Sequence, residues 1–311
     1  MMEKTASQPP ERIVQVGTAY QFKDYSVQLN QLLDLYGDVI SCTSIGSSVL
    51  GKPLWCLKIG RGPRKVHVNA AVHANEWITA PLLLRFIEAF AAGCKQRGAQ
   101  ENESSLECRR WFDNTTLIAV PMVNPDGVDL SQGGIDPACS WAEELLKWNG
   151  NHSDFSKWKA NARGIDLNDQ FPAYWEEEQS RRGITEPAPQ DYGGTAPLTE
   201  PEAIALAELT SREQFDYVLS LHTQGREIYW NYREYEPEIA EQLALRLAKV
   251  SGYRAVKLGG SDAGYKDWFI YRFGRPGFTI EVGEGVNPLP VSDFDEMYGQ
   301  IYAIIASIMD S

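Results

Sequence analysis

The sequence predicts an α/β fold in one large domain. Its 311 residues are 43% hydrophobic, which is enough to bury a large core. Segments with the β-branched pattern of strands alternate with segments whose apolar residues recur every three or four positions. We find neither an internal repeat nor a linker. We therefore expect an N-terminal tail at residues 1–20 and a single domain at residues 21–311.

The first half of the chain begins with a predicted amphipathic helix over Tyr25–Tyr36. Three segments that are rich in β-favouring residues and bounded by Gly or Pro predict strands at Val39–Gly46, Lys52–Ile59 and Lys65–Val72. A buried helix follows at once, because apolar residues stand four apart from Ile78 until Gly93. The next segments read as a polar loop at Cys94–Arg110, a strand at Thr115–Val120 and a turn cluster at Pro121–Gly127.

The second half opens with a short helix at Trp141–Trp148 and a long irregular segment at Asn149–Asp191. Long ordered loops in compact domains are often functional. The regular elements that follow are predicted as helices at Glu200–Leu209, Glu238–Ser251 and Asp293–Met309, and strands at Phe215–Leu221 and Gly277–Val282. Helices and strands therefore alternate to the end of the chain.

The charge balance excludes two classes of partner. The chain has 29 basic and 42 acidic residues, a net charge of −13. A net negative charge disfavours electrostatic binding to nucleic-acid phosphates or to anionic lipid. We therefore expect neither a nucleic-acid partner nor a membrane partner.

The N-terminus and the cysteines point to a cytoplasmic location. Residues Met1–Glu11 lack the basic and apolar regions of a secretory signal, and we see no later apolar run long enough to span a bilayer. The five cysteines are odd in number and form no C-x-x-C doublet. We interpret them as free thiols of a reducing compartment. A bridge between Cys94 and Cys108 is the alternative.

Two of the four histidines lie just beyond predicted strands, where open α/β sheets form ligand sites. His73 and Glu76 stand three apart on a tight strand-to-helix turn, and His222 follows another strand. Three protein ligands with one open position are typical of catalytic zinc. The H-x-x-E pattern alone is common, since a Glu in a first helical turn is favoured by the helix dipole. We interpret His67 as a structural strand residue and His152 as solvated.

Glu281 is the other unusual residue, because it lies inside the apolar run Phe278–Val282. Carboxylates are normally avoided in such a run. Glu281 either points to solvent from a strand or acts as a general base for water at the metal, which requires a partly desolvated carboxylate.

Five motifs, taken together, resemble those of the zinc carboxypeptidase family in their order along the chain. They are His73–Thr79, Pro121–Gly127, Gly164–Asn168, Ser220–His222 and Phe278–Glu281. They span roughly two thirds of the chain. The resemblance implies a mixed, twisted sheet of about eight strands flanked by helices on both faces, which agrees with the predicted order of elements.

The resemblance also implies roles for individual residues. One Zn²⁺ per chain would be bound by His73, Glu76 and His222. Glu281 would take a proton from the attacking water and pass it to the leaving amine. Arg163 would polarise the scissile carbonyl, since a guanidinium keeps its charge and offers fixed donors. Lys159 is the competing candidate for that task.

The sequence departs from the family pattern at the loop that clamps a substrate's terminal carboxylate. The usual Asn-Arg pair is Asn168-Asp169 here, and an anion would repel a free carboxylate. The usual Arg before the zinc glutamate is Asn75. Tyr265 is the nearest candidate for the family's mobile tyrosine. A general carboxypeptidase is therefore not the expected activity.

The segment Gly164–Pro172 is similar instead to the γ-D-glutamyl-diamino acid endopeptidase I branch of the family. That branch cleaves the amide between γ-D-glutamate and meso-diaminopimelate or lysine in bacterial peptidoglycan stem peptides. We see no wall-binding repeat and therefore expect peptidoglycan-derived peptides, as soluble muropeptides, to be the substrate.

Lys266 precedes Asp267-Trp268, a pair that resembles one at the floor of the family's leaving-side pocket. Our hypothesis is that Lys266 and Asp169 together recognise the zwitterionic side chain of diaminopimelate by pairing with its carboxylate and its amine. The alternative is that Lys266 is a solvated loop lysine.

Three rival functions remain at this stage. They are a carboxypeptidase acting on ordinary peptides, an amidohydrolase of small acylated amino acids, and an inactive module that binds wall peptide. The presence of all three metal ligands and Glu281 speaks against the inactive module.

Overall fold

The computed structural model describes residues 12–96, 98, 101–136 and 139–311. The strands are β1 Ile40–Ser47, β2 Pro53–Gly60, β3 Arg64–Ala70, β4 Thr115–Val120, β5 Tyr217–His222, β6 Glu227–Tyr229, β7 Arg254–Val256 and β8 Gly277–Glu281. The helices are α1 Phe22–Tyr36, α2 Thr79–Lys95, α3 Glu103–Asn114, α4 Pro125–Gly133, α5 Ala142–Trp148, α6 Trp175–Arg182, α7 Pro201–Glu213, α8 Ile239–Ser251, α9 Tyr265–Phe273 and α10 Phe294–Met309.

All eight strands form one mixed sheet in the order β1-β2-β4-β3-β5-β8-β6-β7. Its centre is parallel, because β3 pairs in parallel with β4 and β5, and β5 with β8. Antiparallel pairs flank this centre at β1-β2, β2-β4 and β6-β8. The predicted α/β class and the eight-stranded mixed sheet are confirmed, and the carboxyl ends of β3, β5 and β8 meet at one edge.

The central strands are buried on both faces, as their near-continuous apolar sequences require. In β4, Leu117 and Ala119 belong to one core cluster, and Ile118 and Val120 to the other. The first cluster includes apolar residues of α1, α2, α8 and α10, and the second includes those of α7 and α9. Helices therefore cover both faces of the sheet and hold its edge in place.

Several elements differ from the sequence prediction. The predicted loop Cys94–Arg110 contains the start of α3, which buries only Ser105, Cys108 and Trp111 and so has a weak apolar stripe. Asn124 caps α4 by accepting the Gly127 N–H, so the predicted turn cluster leads directly into a helix. The sequence analysis also did not predict helices α6 and α9 or the three-residue strands β6 and β7.

The described part of the predicted tail lies against the domain. Val14 and Tyr20 are buried in the first core cluster. The Glu88 carboxylate accepts the backbone N–H groups of Ile13 and Val14 at 2.7 and 3.0 Å. Residues 1–11 fall outside the described residues, and the predicted boundary near residue 21 stays a prediction.

One described stretch, Ala74–Lys95, is long and apolar enough to cross a membrane by length and composition. Our expectation that no apolar run has this length was therefore wrong. Of its apolar window, 83% is buried inside the domain, because α2 is a core helix between the sheet and α10.

The cysteine pair considered as a bridge is joined by a hydrogen bond instead. The Cys94 thiol donates to the backbone carbonyl of Cys108 at 3.5 Å. This contact agrees with the interpretation of the cysteines as thiols.

Candidate metal centre

The three predicted metal ligands come from the ends of neighbouring strands. His73 follows β3 and immediately precedes a 3₁₀ turn at Ala74–Glu76, which brings Glu76 back beside it. His222 is the last residue of β5, the strand next to β3. The turn and the strand pairing thus bring the three side chains to one point.

The donor atoms of the cluster converge closely. Nδ1 of His73 lies 2.9 Å from Oε1 of Glu76, and Nδ1 of His222 lies 3.0 Å from Oε2. The two Nδ1 atoms are 3.2 Å apart. All the ligand atoms lie within 4.8 Å of one another. Two imidazole nitrogens and a carboxylate are the donor set of a His₂Glu catalytic zinc site, so the residues present fit this metal.

Asp166 fixes the orientation of His73, a role that the sequence analysis missed. Oδ1 of Asp166 lies 3.1 Å from Nε2 of His73 and accepts the Asn168 backbone N–H at 3.1 Å. Oδ2 accepts the Asp191 N–H at 3.1 Å. A carboxylate at Nε2 keeps the imidazole proton there and leaves the Nδ1 lone pair for a metal. The sequence feature that could have indicated this role is the acidic residue inside the Gly164–Asn168 motif.

The imidazoles and carboxylates of the cluster shift one another's pKa values. Burial lowers the pKa of His73, but the carboxylates of Glu76 and Asp166 outweigh burial and raise that pKa to about 10. Burial raises the pKa of Glu76, but His73 and His222 bring it well below its usual value. Burial lowers the pKa of His222. Since a ligand imidazole needs a free lone pair, His73 would have to give up its extra proton to hold a metal.

Glu281 faces the same point from β8. It stands directly opposite His222 in the strand register. Burial, and next the charge of Glu76, raise the pKa of Glu281 to about 8. Its partly accessible side chain opens onto a cavity of ≈340 Å³ rather than onto the outer surface of the sheet. The cavity is lined by His73, Glu76, Lys159, Asn168, Arg182, His222, Thr223, Gln224, Tyr229, Thr279, Glu281 and Asn287.

Lys159, and not Arg163, reaches the metal centre. Nζ of Lys159 lies 3.5 Å from Oε1 of Glu76, and its side chain lines the cavity. Burial lowers the pKa of Lys159, but Glu76, Asp166 and Glu281 outweigh burial and raise it, so the ammonium is retained. Arg163 points elsewhere and lies 3.6 Å from Glu200. The expectation that Arg163 polarises the scissile carbonyl is therefore corrected, because its side chain pairs with Glu200 instead.

Two other residues of the predicted substrate site are buried away from the cavity. The Tyr265 hydroxyl lies 2.8 Å from Thr210 Oγ1 in the second core cluster, because α9 turns the ring inward. Asn75 is buried, and its Nδ2 donates to the Lys157 carbonyl at 3.4 Å. A different tyrosine, Tyr229, lines the cavity.

Lys266 and Asp169, which were predicted to recognise a charged substrate side chain, are also turned away from the cavity. The Lys266 ammonium is buried, pairs with Asp267 and donates to the Asn231 carbonyl at 2.8 Å. Asp169 is buried and pairs with Arg182 at 3.1 Å. The hypothesis that Lys266 and Asp169 contact a charged substrate side chain is therefore corrected, because each is neutralised within the protein. Asn168, by contrast, does line the cavity.

Arg182 is a cavity residue that sequence analysis missed. It ends α6, a helix inside the predicted irregular segment, where the sequence shows the basic pair Arg181-Arg182.

The chain is similar to several known proteins. The family model described as zinc carboxypeptidase matches residues 25–300. The chain is 45% identical, over 90% of its length and 70% of the relative's, to γ-D-glutamyl-L-diamino acid endopeptidase 1 of Lysinibacillus sphaericus. It is 40% identical to the uncharacterised protein YqgT of Bacillus subtilis strain 168, over 89% of this chain and 74% of that protein. The structure of bovine thrombin-activatable fibrinolysis inhibitor has the same fold, with a TM-score of 0.72 at 18% identity, over 96% of this chain and 98% of that one.

Proposed function

Because the chain belongs to the zinc carboxypeptidase family, we propose that it is the zinc peptidase that hydrolyses the γ-D-glutamyl-diamino acid amide of peptidoglycan stem peptides. The observation that carries this assignment is 45% identity, over 90% of the chain, to a relative named for that bond. The substrates would be peptidoglycan-derived peptides with meso-diaminopimelate or lysine after the glutamate.

We assign metal binding to His73, Glu76 and His222. When zinc is bound there, it supplies Lewis acidity toward a water molecule and toward the substrate carbonyl. Asp166 holds His73 in the orientation that points Nδ1 at the cluster. Thr223 supports Glu76 by donating its backbone N–H to Oε2 at 3.1 Å. The cluster is thus oriented before any substrate arrives.

Glu281 is the general base in this proposal. Its carboxylate removes a proton from the attacking water and then delivers that proton to the nitrogen of the leaving amine. Burial favours the protonated form and raises the pKa of Glu281 to about 8. A dication nearby favours the ionised form. The same group can therefore accept a proton and give it back.

Lys159 stabilises the negative charge that develops on the carbonyl oxygen. Its ammonium lines the cavity beside Glu76 and stays charged. A cation fixed where charge develops lowers the barrier without reorganising during the reaction. Lys159 therefore takes over the task that the sequence analysis gave to Arg163.

A two-substrate comparison tests the assignment. Purified zinc-loaded enzyme is given L-Ala-γ-D-Glu-meso-diaminopimelate and, separately, dansylated ordinary peptides with a free C-terminal carboxylate. We expect free diaminopimelate from the first and at least a hundredfold lower kcat/KM for the second, since ordinary peptides lack the γ-linkage. Faster release of C-terminal residues from the ordinary peptides would establish the carboxypeptidase alternative instead.

The cytoplasmic location stays a prediction, which fractionation of producing cells followed by immunodetection of the chain would test. An inactive binding module is disfavoured because the complete ligand cluster and Glu281 converge on one cavity.

A further inference from the structure

Arg182 is a cation that α6 delivers to the cavity from outside the metal centre. It lines the cavity together with Asn168. Its side chain is 35% exposed and reaches the carboxylates of Asp169, Glu178 and Asp191. The distances from its Nε are 3.1 Å to Asp169 and 2.7 Å to Glu178, and its Nη1 lies 2.9 Å from Asp191. The guanidinium is thus clamped in one orientation.

The clamp leaves donors for a ligand. The contacts to the three carboxylates use Nε, one N–H of Nη1 and one N–H of Nη2, the last directed at Asp169 Oδ1 at 3.3 Å. A guanidinium has five N–H groups, so two are left over by these contacts, and Arg182 lines the cavity. Burial lowers the pKa of Arg182, but Asp169, Asp191 and Glu178 outweigh burial and raise it, so the cation persists.

Asn168 presents a further donor beside Arg182. Its Oδ1 accepts the Tyr265 backbone N–H at 3.4 Å. Because the carbonyl end of this amide is engaged by the protein, its NH₂ end is the one available to the cavity. Two guanidinium N–H groups and an amide NH₂ form a cradle that suits a carboxylate.

The position of Asp169 explains how this cradle is built. An acid in this loop was expected to repel a substrate carboxylate, but its side chain is buried and engages Arg182. Burial, and next Asp166, raise the pKa of Asp169 to about 8, so it holds the guanidinium with less than a full negative charge near neutral pH. The acid therefore positions a cation instead of repelling the substrate.

We propose that Arg182 and Asn168 form a binding site for a carboxylate of the substrate. The proposal rests on the proposed function, because a stem peptide carries free carboxylates on both sides of the scissile amide. One belongs to the D-glutamyl residue, and two belong to the leaving diaminopimelate.

Amidated substrates test the site in the enzyme as it stands. The parent tripeptide L-Ala-γ-D-Glu-meso-diaminopimelate is compared with three forms, each amidated at one carboxyl group. A hydrogen bond to a charged group corresponds to roughly 10- to 100-fold in kcat/KM. We expect one of the three amidations to cause a loss of that size in the wild type, and the identity of that form names the carboxylate.

Two arginine variants complete the test. Arg182→Lys keeps the charge but loses the planar fork, so the acid-over-amide preference should fall at least fivefold. The matched control is Arg181→Lys, because Arg181 pairs with Glu178 and Asp262 and is absent from the cavity lining. It should keep the wild-type preference. Identical preferences in the wild type and Arg182→Lys for all three amides would overturn the proposal.

A binding measurement separates this proposal from the proposed function. Calorimetry with the zinc-loaded Glu281→Gln variant gives Kd for the parent tripeptide and its amides without turnover. If the parent is never hydrolysed, the proposed function fails, yet weaker binding of one amide that disappears with Arg182→Lys still supports the carboxylate site. Equal Kd values for acid and amides would contradict it.

Discussion

Replacing Asp166 by asparagine should weaken zinc binding without removing a metal ligand. Asp166 is 3% exposed and accepts from His73 and Asn168 on one oxygen and from Asp191 on the other. An asparagine has one carbonyl oxygen and one NH₂ group. Placing its oxygen toward His73 sets the NH₂ against the Asp191 N–H, and the reverse orientation sets it against His73. In the first orientation the Asp191 N–H loses its acceptor, and in the second both His73 and the Asn168 N–H lose theirs. In either orientation the imidazole also loses an anionic partner.

The expected loss in zinc affinity is about 10- to 100-fold, the range for removing a ligand's hydrogen-bonding carboxylate. This corresponds to roughly 1.4–2.7 kcal/mol. Competition with a chromogenic chelator at fixed pH measures the zinc Kd. Asp169→Asn is the matched control, since it is a buried acid of the same segment that pairs with Arg182. A zinc Kd for Asp166→Asn equal to that of the wild type would refute the orienting role.

Three further predictions concern catalysis, pH and packing. Lys159→Gln should lower kcat by about 100- to 1000-fold, as loss of one oxyanion donor does, whereas Arg163→Gln should stay within a fewfold of the wild type in the same assay. Burial raises the pKa of Glu202 from 4.5 to about 7, so its contribution to stability is present below pH 4.5 and is lost as pH rises through 7. Between pH 4.5 and 7, the free energy of unfolding of Glu202→Gln, measured by urea titration, should therefore change by up to roughly 3 kcal/mol less than that of the wild type. An unchanged pH dependence would count against this account. Phe86 is 0% exposed in the first core cluster, and Phe86→Ala should cost about 3–5 kcal/mol in free energy of unfolding, against little change for Val286→Ala at a 77% exposed site.

The metal cluster could be predicted because its signals are local. His73 and Glu76 share one turn, and His222 and Glu281 end strands whose apolar sequences mark them as central. Parallel central strands bring their carboxyl ends to one edge, so a strand prediction also places the residues that follow it. The fold class followed for the same reason, since strand and helix periods are visible along most of the chain.

The substrate side of the cavity could not be predicted in the same way. In the irregular segment Asn149–Asp191 no period tells which way a side chain points, so Arg163 and Lys159 could not be separated. Arg182 reaches the cavity only through the packing of α6, and its partner Asp169 is buried by that contact. In the sequence, the acidic Asp169 indicated repulsion of a substrate carboxylate. In the fold, the Asp169 side chain instead positions the guanidinium of Arg182.

Helix α9 illustrates a second limit. Its buried residues run consecutively from Tyr265 to Ile270, so it lacks the amphipathic stripe by which helices are recognised. The inward positions of Tyr265 and Lys266 follow from that all-round burial. Each then finds a partner inside the protein, at Thr210 and Asp267, and neither reaches the cavity.

The measurement that tests the central claim most directly is mass spectrometry of L-Ala-γ-D-Glu-meso-diaminopimelate after incubation with zinc-loaded enzyme, with chelated enzyme and with the Glu281→Gln variant. We expect free diaminopimelate from the zinc-loaded enzyme alone, because the reaction needs both the metal and the carboxylate that moves the proton. Release that persists in the Glu281→Gln variant, or an intact tripeptide despite one bound zinc per chain, would contradict the account.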